Sequence, residues 1–600
     1  MTERKIRRMQ ALSPFGVGAI IDILGESFVA EDVSRWQGKR EPLPAPRIAA
    51  HFGVPELRMP PAAGNGPGLP YYRFPQWLFC NACRTMVRWS TRKERAGRAP
   101  RCEACRRAPQ LVPMRFVAVC GNGHLEDVPW DRWAHSSAAG RDQRQCGRPV
   151  LRFEHVANVG GGLESLRVRC TTCRGTRDLR DITSPTALSR IGVRCHGKQP
   201  WQYDQQAENC DERPAVLQRG ASSVYFPDTA SAIDLPPESD WVAWGGPTAL
   251  IEQCPEFGLL HANPNHPIRA QLIDMIATAV DVTTAQVEQV LASRLGEVSV
   301  PDAGAAEDLA EREWQALTDP PAEYHALDRF IARRTPFPSP GGHRALQGMA
   351  DSLAERVCGV TLVDRLREVR VLRGFRRHTM NRLVRADLAA SAGFLPAVEI
   401  YGEGIFLRFD EGALQQWEAQ DVVQQRCETL RKRLAASPQA RWLELEPTPR
   451  LLLLHSFSHL LLRQLAFDAG YSSSSLRERL YSSPPGARTT MAGLLIYTAA
   501  GDAEGTLGGL ARAGQAERLT TTIAAALAAA QWCSLDPVCR EASAQGPAGL
   551  SMAACHACML VSETSCTVGN LLLDRTLIVD ETYGYFRGPL ADLVTAQANG

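Results

Sequence analysis

"LLLLHSFSHLLLRQL", Leu451–Leu465, is the stretch on which the fold of the C-terminal region turns. Its histidines, His455 and His459, stand four apart in a leucine-rich run, which puts them on one face of a helix. That is the spacing of the H-E-x-x-H zinc-protease signature. Here the general-base position is Ser456, so the hydrolytic reading loses its essential residue. Arg463 continues the series at i, i+4, i+8 and makes one polar stripe along an apolar helix. A stripe of this kind serves internal hydrogen bonding, a contact with a DNA phosphate or a partner, or a metal. It is not a protease site.

The chain has 600 residues, too many for one core, and its 44% hydrophobic and 22% charged composition is that of a globular protein. A net charge of +2 hides an uneven distribution. The first apolar stretch, "FGVGAIIDIL", is interrupted by Asp22 and lacks a small-residue cleavage site, so no signal peptide is expected. No apolar run is long enough for a membrane span. The expectation is a cytoplasmic protein.

Eighteen cysteines in a reducing compartment argue for metal rather than disulfides. Fifteen lie in two blocks, 80–210 and 533–566; Cys254, Cys358 and Cys427 stand apart and read as small buried hydrophobes. "CNAC" (Cys80, Cys83) and "CEAC" (Cys102, Cys105) are two C-x-x-C knuckles, the pattern of a closed tetrahedral zinc ribbon. "CTTC" (Cys170, Cys173) is half a site, with Cys195 and Cys210 the nearest candidates to complete it. Cys120, His124, His135 and Cys146 form a possible mixed site. At the C-terminal end Cys533, Cys539, Cys555, Cys558 and Cys566 compete for four positions, Cys555 and Cys558 being the safest pair. All these are structural sites, two to four zinc ions in number.

Composition shifts divide the chain into five regions. Residues 1–70 are a strand-and-turn segment ending in the linker "MPPAAGNGPGLP", and 71–235 are the cysteine-rich zinc-ribbon region. Residues 236–345 read as mainly helical; 346–440 as a basic helix, a hairpin turning at Gly402-Glu403-Gly404 and a long amphipathic helix from about Glu411 to Ala436. Residues 441–600 form the final domain. There Ser475 and Glu478 have capping-box spacing for a helix start, "GLLIYTA" reads as a buried strand, and an alanine-rich helix ends near Trp532. The fold class is α+β and multidomain, with strand-rich zinc-ribbon modules, a helical middle and a C-terminal α/β zinc-binding domain.

Positive charge gathers in two places. The first ribbon has ten Lys or Arg between Arg84 and Arg115, among them Arg88, Arg92 and Lys93, against Glu94 and Glu103, with Trp77 and Trp89 nearby. "DRLREVRVLRGFRRHTMNRLVR" carries Arg365, Arg367, Arg370, Arg373, Arg376, Arg377, Arg382 and Arg385 against Asp364 and Glu368. Arginine forks suit phosphate and Phe375 would stack a base, so both segments are candidate nucleic-acid surfaces. His455, His459 and Arg463 join them as candidates.

Enzyme signatures are missing. There is no G-x-x-x-x-G-K-[ST] loop, G-x-S-x-G elbow or kinase set. The turn "GDAEGTLGGL" (Gly501–Leu510) reads as a tight turn before an anion site. Glu399, Glu403, Asp502 and Glu504 would be needed for a two-metal nuclease, and nothing in their spacing favours one.

The motifs "LLLLHSFSHLLL", "SSLRERLY", "GLLIYTAAGDAEGTLGGL" and "ACHACMLVSETSC…GNLLLDR" together resemble the zinc-binding C-terminal domain named after the MrfA DNA-repair helicase. With "SPFGVGAIIDI", "LQRGASSVYFP" and "EIYGEGIFLRF", the chain resembles the DrmB family of the DISARM phage-defence system over nearly its full length. The resemblance implies a bacterial cytoplasmic protein that pairs with DrmA, a superfamily 2 helicase that supplies the ATP site, and engages DNA. It also implies zinc on Cys533, Cys539, Cys555 and Cys558. It carries over no catalytic residue. The expected function is a non-catalytic, zinc-stabilised DNA-binding subunit of a helicase complex; the alternatives are a metal-dependent nuclease and a helicase scaffold without DNA contacts.

Overall fold

The histidine-bearing stretch is helical, and Thr448 starts it: its side chain accepts a hydrogen bond from the Leu451 N–H, with Pro449 in the first turn. The helix Pro449–Ala469 ends where Gly470 adopts φ +70°, a left-handed terminus that glycine tolerates. Every residue from Pro449 to Leu462 is buried, so the helix is enclosed on all sides rather than on one stripe. This is seen in a computed structural model, which describes the chain except residues 1–5, 38–39, 62–67, 96, 137–145, 158, 203–207, 236–250, 252–253, 265, 281, 296–308, 322–323, 325–328, 339–345, 389, 442, 444, 473, 484–486, 499–508 and 599–600. The chain forms two units. One comprises 1–43, 54–230 and 370–398; the other 44–53, 231–369 and 399–600.

In the second unit the enclosed helix packs on strands Leu476–Ser482 and Ala492–Thr498 and on helices Ala516–Ala530 and Thr576–Val579. Ala492–Thr498 is buried throughout and pairs antiparallel with both neighbours, Leu494 facing Leu407 on one side and Leu480 on the other. Outward from Leu476–Ser482 the order is Ala492–Thr498, the strand Phe394–Phe409, then the strand Val357–Arg376, with Ile331–Thr335 pairing the last. One face of this sheet packs Leu362, Ile405, Leu407 and Leu494 with the helix leucines and Phe457. Its other face packs Val363, Leu366, Phe406 and Leu495 around Phe330 and Tyr481. Helices Pro255–Ala262, Arg269–Val280 and Thr284–Leu295 have a small core of their own around Ile276 and Val287.

Four expectations are corrected. The arginine-rich stretch expected as a helix is a 20-residue strand, Val357–Arg376. Its arginines recur every two or three residues, but Val357, Val360, Val363, Val369 and Val371 favour extended backbone, and burial on both faces erases the polar–apolar alternation. The expected hairpin at Gly402-Glu403-Gly404 is one continuous strand, Phe394–Phe409. A Cβ on Gly402 would stand 2.1 Å from the Thr498 carbonyl oxygen, so this glycine admits a neighbouring strand instead of making a turn. Ser475 does not cap a helix; Glu478 lies on the strand Leu476–Ser482 with its side chain buried. The long amphipathic helix is two, Glu411–Glu418 and Asp421–Ala436.

The first unit is built from short strands in small antiparallel sheets. Trp77–Cys80 lies between Met86–Arg88 and Leu111–Pro113; Phe116–Val119 between Leu125–Asp127 and Ala215–Gln218; Leu166–Cys170 between Leu151–His155 and Thr176–Asp178. Phe116, Trp130, Trp133, Val168 and Leu188 make their shared core. Sheets this small cannot bury enough apolar surface to stand alone, which is why cross-links matter here. Among the described residues no helix is long and apolar enough to cross a membrane.

Candidate metal centres

The short strands deliver cysteines in pairs. Trp77–Cys80 ends on Cys80, and the turn after it presents Cys83; Cys102 and Cys105 arrive from the loop before Leu111. Cys80 and Cys105 sulfurs are 3.8 Å apart, and Cys83 and Cys102 sulfurs 3.7 Å. A tetrahedron with Zn–S bonds of about 2.3 Å has sulfur–sulfur edges of about 3.8 Å, whereas a disulfide is about 2.05 Å. The site therefore fits zinc and not a disulfide. The Cys83 N–H points at the Cys80 sulfur, 3.5 Å away. Arg152 donates to the Cys83 carbonyl at 2.8 Å, tying this knuckle to the strand Leu151–His155.

The next two sites interleave. Cys120, His124, Cys195 and Cys210 form one group; His135, Cys146, Cys170 and Cys173 form the other. In the first, Cys120 lies 3.7 Å from Cys195, 4.0 Å from Cys210 and 3.3 Å from His124 Nδ1. A mixed tetrahedral edge between nitrogen and sulfur is about 3.6 Å. His124 Nε2 stands 3.7 Å from Glu208, the outer carboxylate typical of a zinc-ligating histidine. The Cys195 thiol and then His124 hold Cys120 far below the usual thiol range, at about 4. In the second, the Asp131 carbonyl 2.6 Å from His135 Nδ1 fixes that ring, leaving Nε2 toward Cys173 at 3.0 Å and Cys146 at 3.6 Å. The expected groupings were the other way round: Cys170 and Cys173 take His135 and Cys146, while Cys195 and Cys210 go to Cys120 and His124. Strand pairing explains it, since Leu151 faces Cys170 across its sheet and Phe116–Val119, leading into Cys120, pairs with Ala215–Gln218, which follows Cys210.

At the C-terminal end Cys533, Cys539, Cys555 and Cys558 close the fourth group, with sulfur separations of 3.5 Å for Cys533–Cys555 and 3.7 Å for Cys539–Cys558 and Cys555–Cys558. Cys566 is the cysteine left out. Its sulfur lies 3.2 Å from His455 Nε2. His455 and His459 are completely buried and so are not a DNA-facing stripe; His459 Nδ1 is 3.0 Å from the Met559 carbonyl. Arg463 donates to the carbonyls of Ala557 at 2.7 Å and Leu560 at 3.0 Å, so it braces the Cys555–Cys558 knuckle. Of the three isolated cysteines Cys427 is buried, Cys254 half-buried and Cys358 exposed.

The two basic segments differ in what the charge faces. Arg367 is fully buried and paired with Asp234 at 2.6 Å and Glu399 at 2.8 Å. Arg370 is buried as well. Arg377, also buried, donates to the carbonyls of Gly18, Val224 and Gly123. Phe375 is enclosed by Trp201 and Tyr225, not free to stack a base. Arg373 and Arg376 share Asp228, at 2.6 and 3.2 Å. Arg365 is half-buried; Arg382, paired with Glu208, and Arg385 are exposed. The strand interior takes Arg367 and Arg370 inward, and the segment just past the strand end buries Arg377, which corrects all three as phosphate contacts. On the first ribbon all ten basic residues, Arg88, Arg92 and Lys93 included, are exposed. Among the described residues one of them, Lys93, is ion-paired, to Glu103. Trp89 lies under Lys93, and Trp77 packs against the core.

Two of the four nuclease carboxylates are already engaged. Glu399 serves Arg367, and Glu403, buried, accepts the Leu510 N–H at 2.7 Å and the Tyr471 hydroxyl at 3.1 Å. Asp502, Glu504 and most of the Gly501–Leu510 turn lie outside the described residues.

Cysteine and histidine tetrads closing small sheets define a zinc-binding protein of α+β architecture whose ions are structural. Residues 457–559 match the MrfA Zn-binding domain, and residues 7–226 match a domain of unknown function, DUF8724. The DISARM protein DrmB of Bacillus paralicheniformis is 30% identical over 515 residues, covering 82% of this chain and 85% of that protein. The chain belongs to the DrmB family of the DISARM anti-phage defence system.

Proposed function

We propose that this protein is a non-catalytic, zinc-stabilised DNA-binding subunit that pairs with a superfamily 2 helicase of the DrmA type in anti-phage defence, holding invading DNA beside the motor. The observation that carries the reading is the first ribbon: ten cationic side chains, all exposed, around four cysteines whose donor atoms converge at metal-site spacing. A rigid, basic ribbon offers phosphate contacts with little ordering of its backbone on binding. The absence of a phosphate loop from the sequence supports an ATP site on the partner. The roles taken by Glu399 and Glu403 support a non-catalytic chain over a nuclease.

The test is DNA binding by the purified chain, alone and with its helicase, across a salt series. Affinity of the chain alone that falls steeply with salt, and less steeply once ribbon cations are removed, is the expected result. Binding that requires the helicase and ignores the ribbon variants would make the chain a scaffold. Magnesium-dependent cleavage lost in Asp502→Ala would make it a nuclease.

A further inference from the structure

His455, His459, Glu478 and Cys566 converge inside the second unit, each offering one donor atom and all four donors within 4.8 Å of one another. The histidines come from one enclosed helix, Glu478 from the adjacent strand Leu476–Ser482, and Cys566 from the loop beyond the C-terminal cysteine knuckle. From Glu478 Oε1 the distance to His455 Nε2 is 3.4 Å and to His459 Nε2 3.7 Å. From His455 Nε2 to Cys566 Sγ it is 3.2 Å. Around zinc a nitrogen–oxygen edge is about 3.4 Å and a nitrogen–sulfur edge about 3.6 Å. We propose that these four residues bind a further zinc ion, one coordinated by two imidazoles, a carboxylate and a thiolate.

Three features separate this site from an ordinary buried polar cluster. His459 Nε2 is buried and has no hydrogen-bond partner, although the residue is wholly inaccessible to solvent. Its Nδ1 faces the Met559 carbonyl, which sets the tautomer with the Nε2 lone pair directed at the group. An orphaned lone pair in a dry core is costly unless a ligand takes it. The remaining donors are held in place: Thr567 N–H reaches Glu478 Oε1 at 3.0 Å, and Ser458 donates to Oε2. The N–H groups of Val568 and Asn570 point at the Cys566 sulfur at 3.3 and 3.2 Å, as Cys83 N–H does at Cys80 in the first ribbon. Charge decides the rest. A carboxylate and a thiolate balance a dication, so the occupied site is neutral and suits a core. The thiolate disfavours magnesium and calcium, and the mixed four-donor set suits zinc.

The ion would pin helix, strand and loop at one point, next to the Cys533–Cys558 group through His459 and Met559. It differs from the four cysteine-rich sites in having one sulfur.

Zinc per chain, measured by elemental analysis on the full-length protein, tests this without any reference to DNA. The native chain is expected to hold five zinc ions, Glu478→Gln and Cys566→Ser four each, and Cys105→Ser combined with Cys566→Ser three. A native count of four, or five retained in Glu478→Gln and Cys566→Ser, overturns the proposal. Should both variants prove insoluble, anomalous scattering at the zinc edge from native crystals decides it: a peak between His459 Nε2 and Cys566 Sγ supports the site, and its absence there overturns it.

Discussion

Arg367 is the sharpest place to separate charge that holds the fold from charge that meets a partner. Its guanidinium is fully buried and bonds Asp234 at 2.6 Å, Glu399 at 2.8 Å and the Pro44 carbonyl at 3.0 Å. Arg367→Met removes all three and leaves Asp234, itself 1% exposed, without its hydrogen-bonded guanidinium, with Arg329 and Arg47 acting on it from further away. Breaking a buried pair from one side costs roughly 3–5 kcal/mol. In a unit of this size that lowers the unfolding transition by roughly 4–7 °C. Arg382→Gln is the comparison: a pair whose partners are 51% and 42% exposed contributes about 0–1 kcal/mol. The assay is thermal unfolding of both variants, with Asp234→Asn added to Arg367→Met. The double variant should recover much of the loss, because the stranded charge is gone. There is also a pH signature. Burial already raises the Asp234 carboxyl above its ordinary value, and loss of Arg367 raises it further. A carboxyl whose folded pKa is raised stabilises the fold below its unfolded pKa and loses that contribution as pH rises through the folded value. The deficit of Arg367→Met should therefore be largest at neutral pH and shrink as pH falls. An Arg367→Met protein that melts with the wild type but no longer binds DNA would refute the reasoning.

The surface cations should behave oppositely. Arg92→Gln with Lys93→Gln should leave the melting curve in place and reduce the log–log salt slope of DNA binding by about 2. Cys105→Ser should lose one zinc and open residues 80–113 to limited proteolysis, with the second unit still resistant, measured by mass mapping of the fragments. Phe457 stacks on Phe586 at 4.6 Å and meets Phe409 edge-on, so Phe457→Ala should destabilise the second unit by about 3–5 kcal/mol in urea unfolding.

Sequence spacing located the first ribbon and the Cys555–Cys558 knuckle because a C-x-x-C pair is a local event: two thiolates on one tight turn reach the same ion whatever the rest of the chain does. It did not locate Glu478 as a neighbour of the histidines. That residue is 19 positions beyond His459, and nothing in "SLRERL" marks its carboxylate as facing inward rather than capping a helix. The arginine-rich strand misled for a related reason: an Arg every few residues looks the same on a helix surface and on a strand whose faces are both covered. Glu399, Glu403 and Asp234 were ordinary acids until the sheet placed a guanidinium or a helix N–H against them.

Read by itself, the sequence determined the ingredients: an α+β chain with zinc-binding cysteines, a leucine-rich helix carrying two histidines, no phosphate loop, and membership of a recognisable family. Only the tertiary structure decided which cysteines share an ion, which arginines face water and what the histidines face. Ligand geometry and burial are relations between residues far apart in the chain. Strand pairing brings Cys120 to Cys210, helix-on-strand packing brings His459 to Glu478 and Cys566, and no local spacing encodes either.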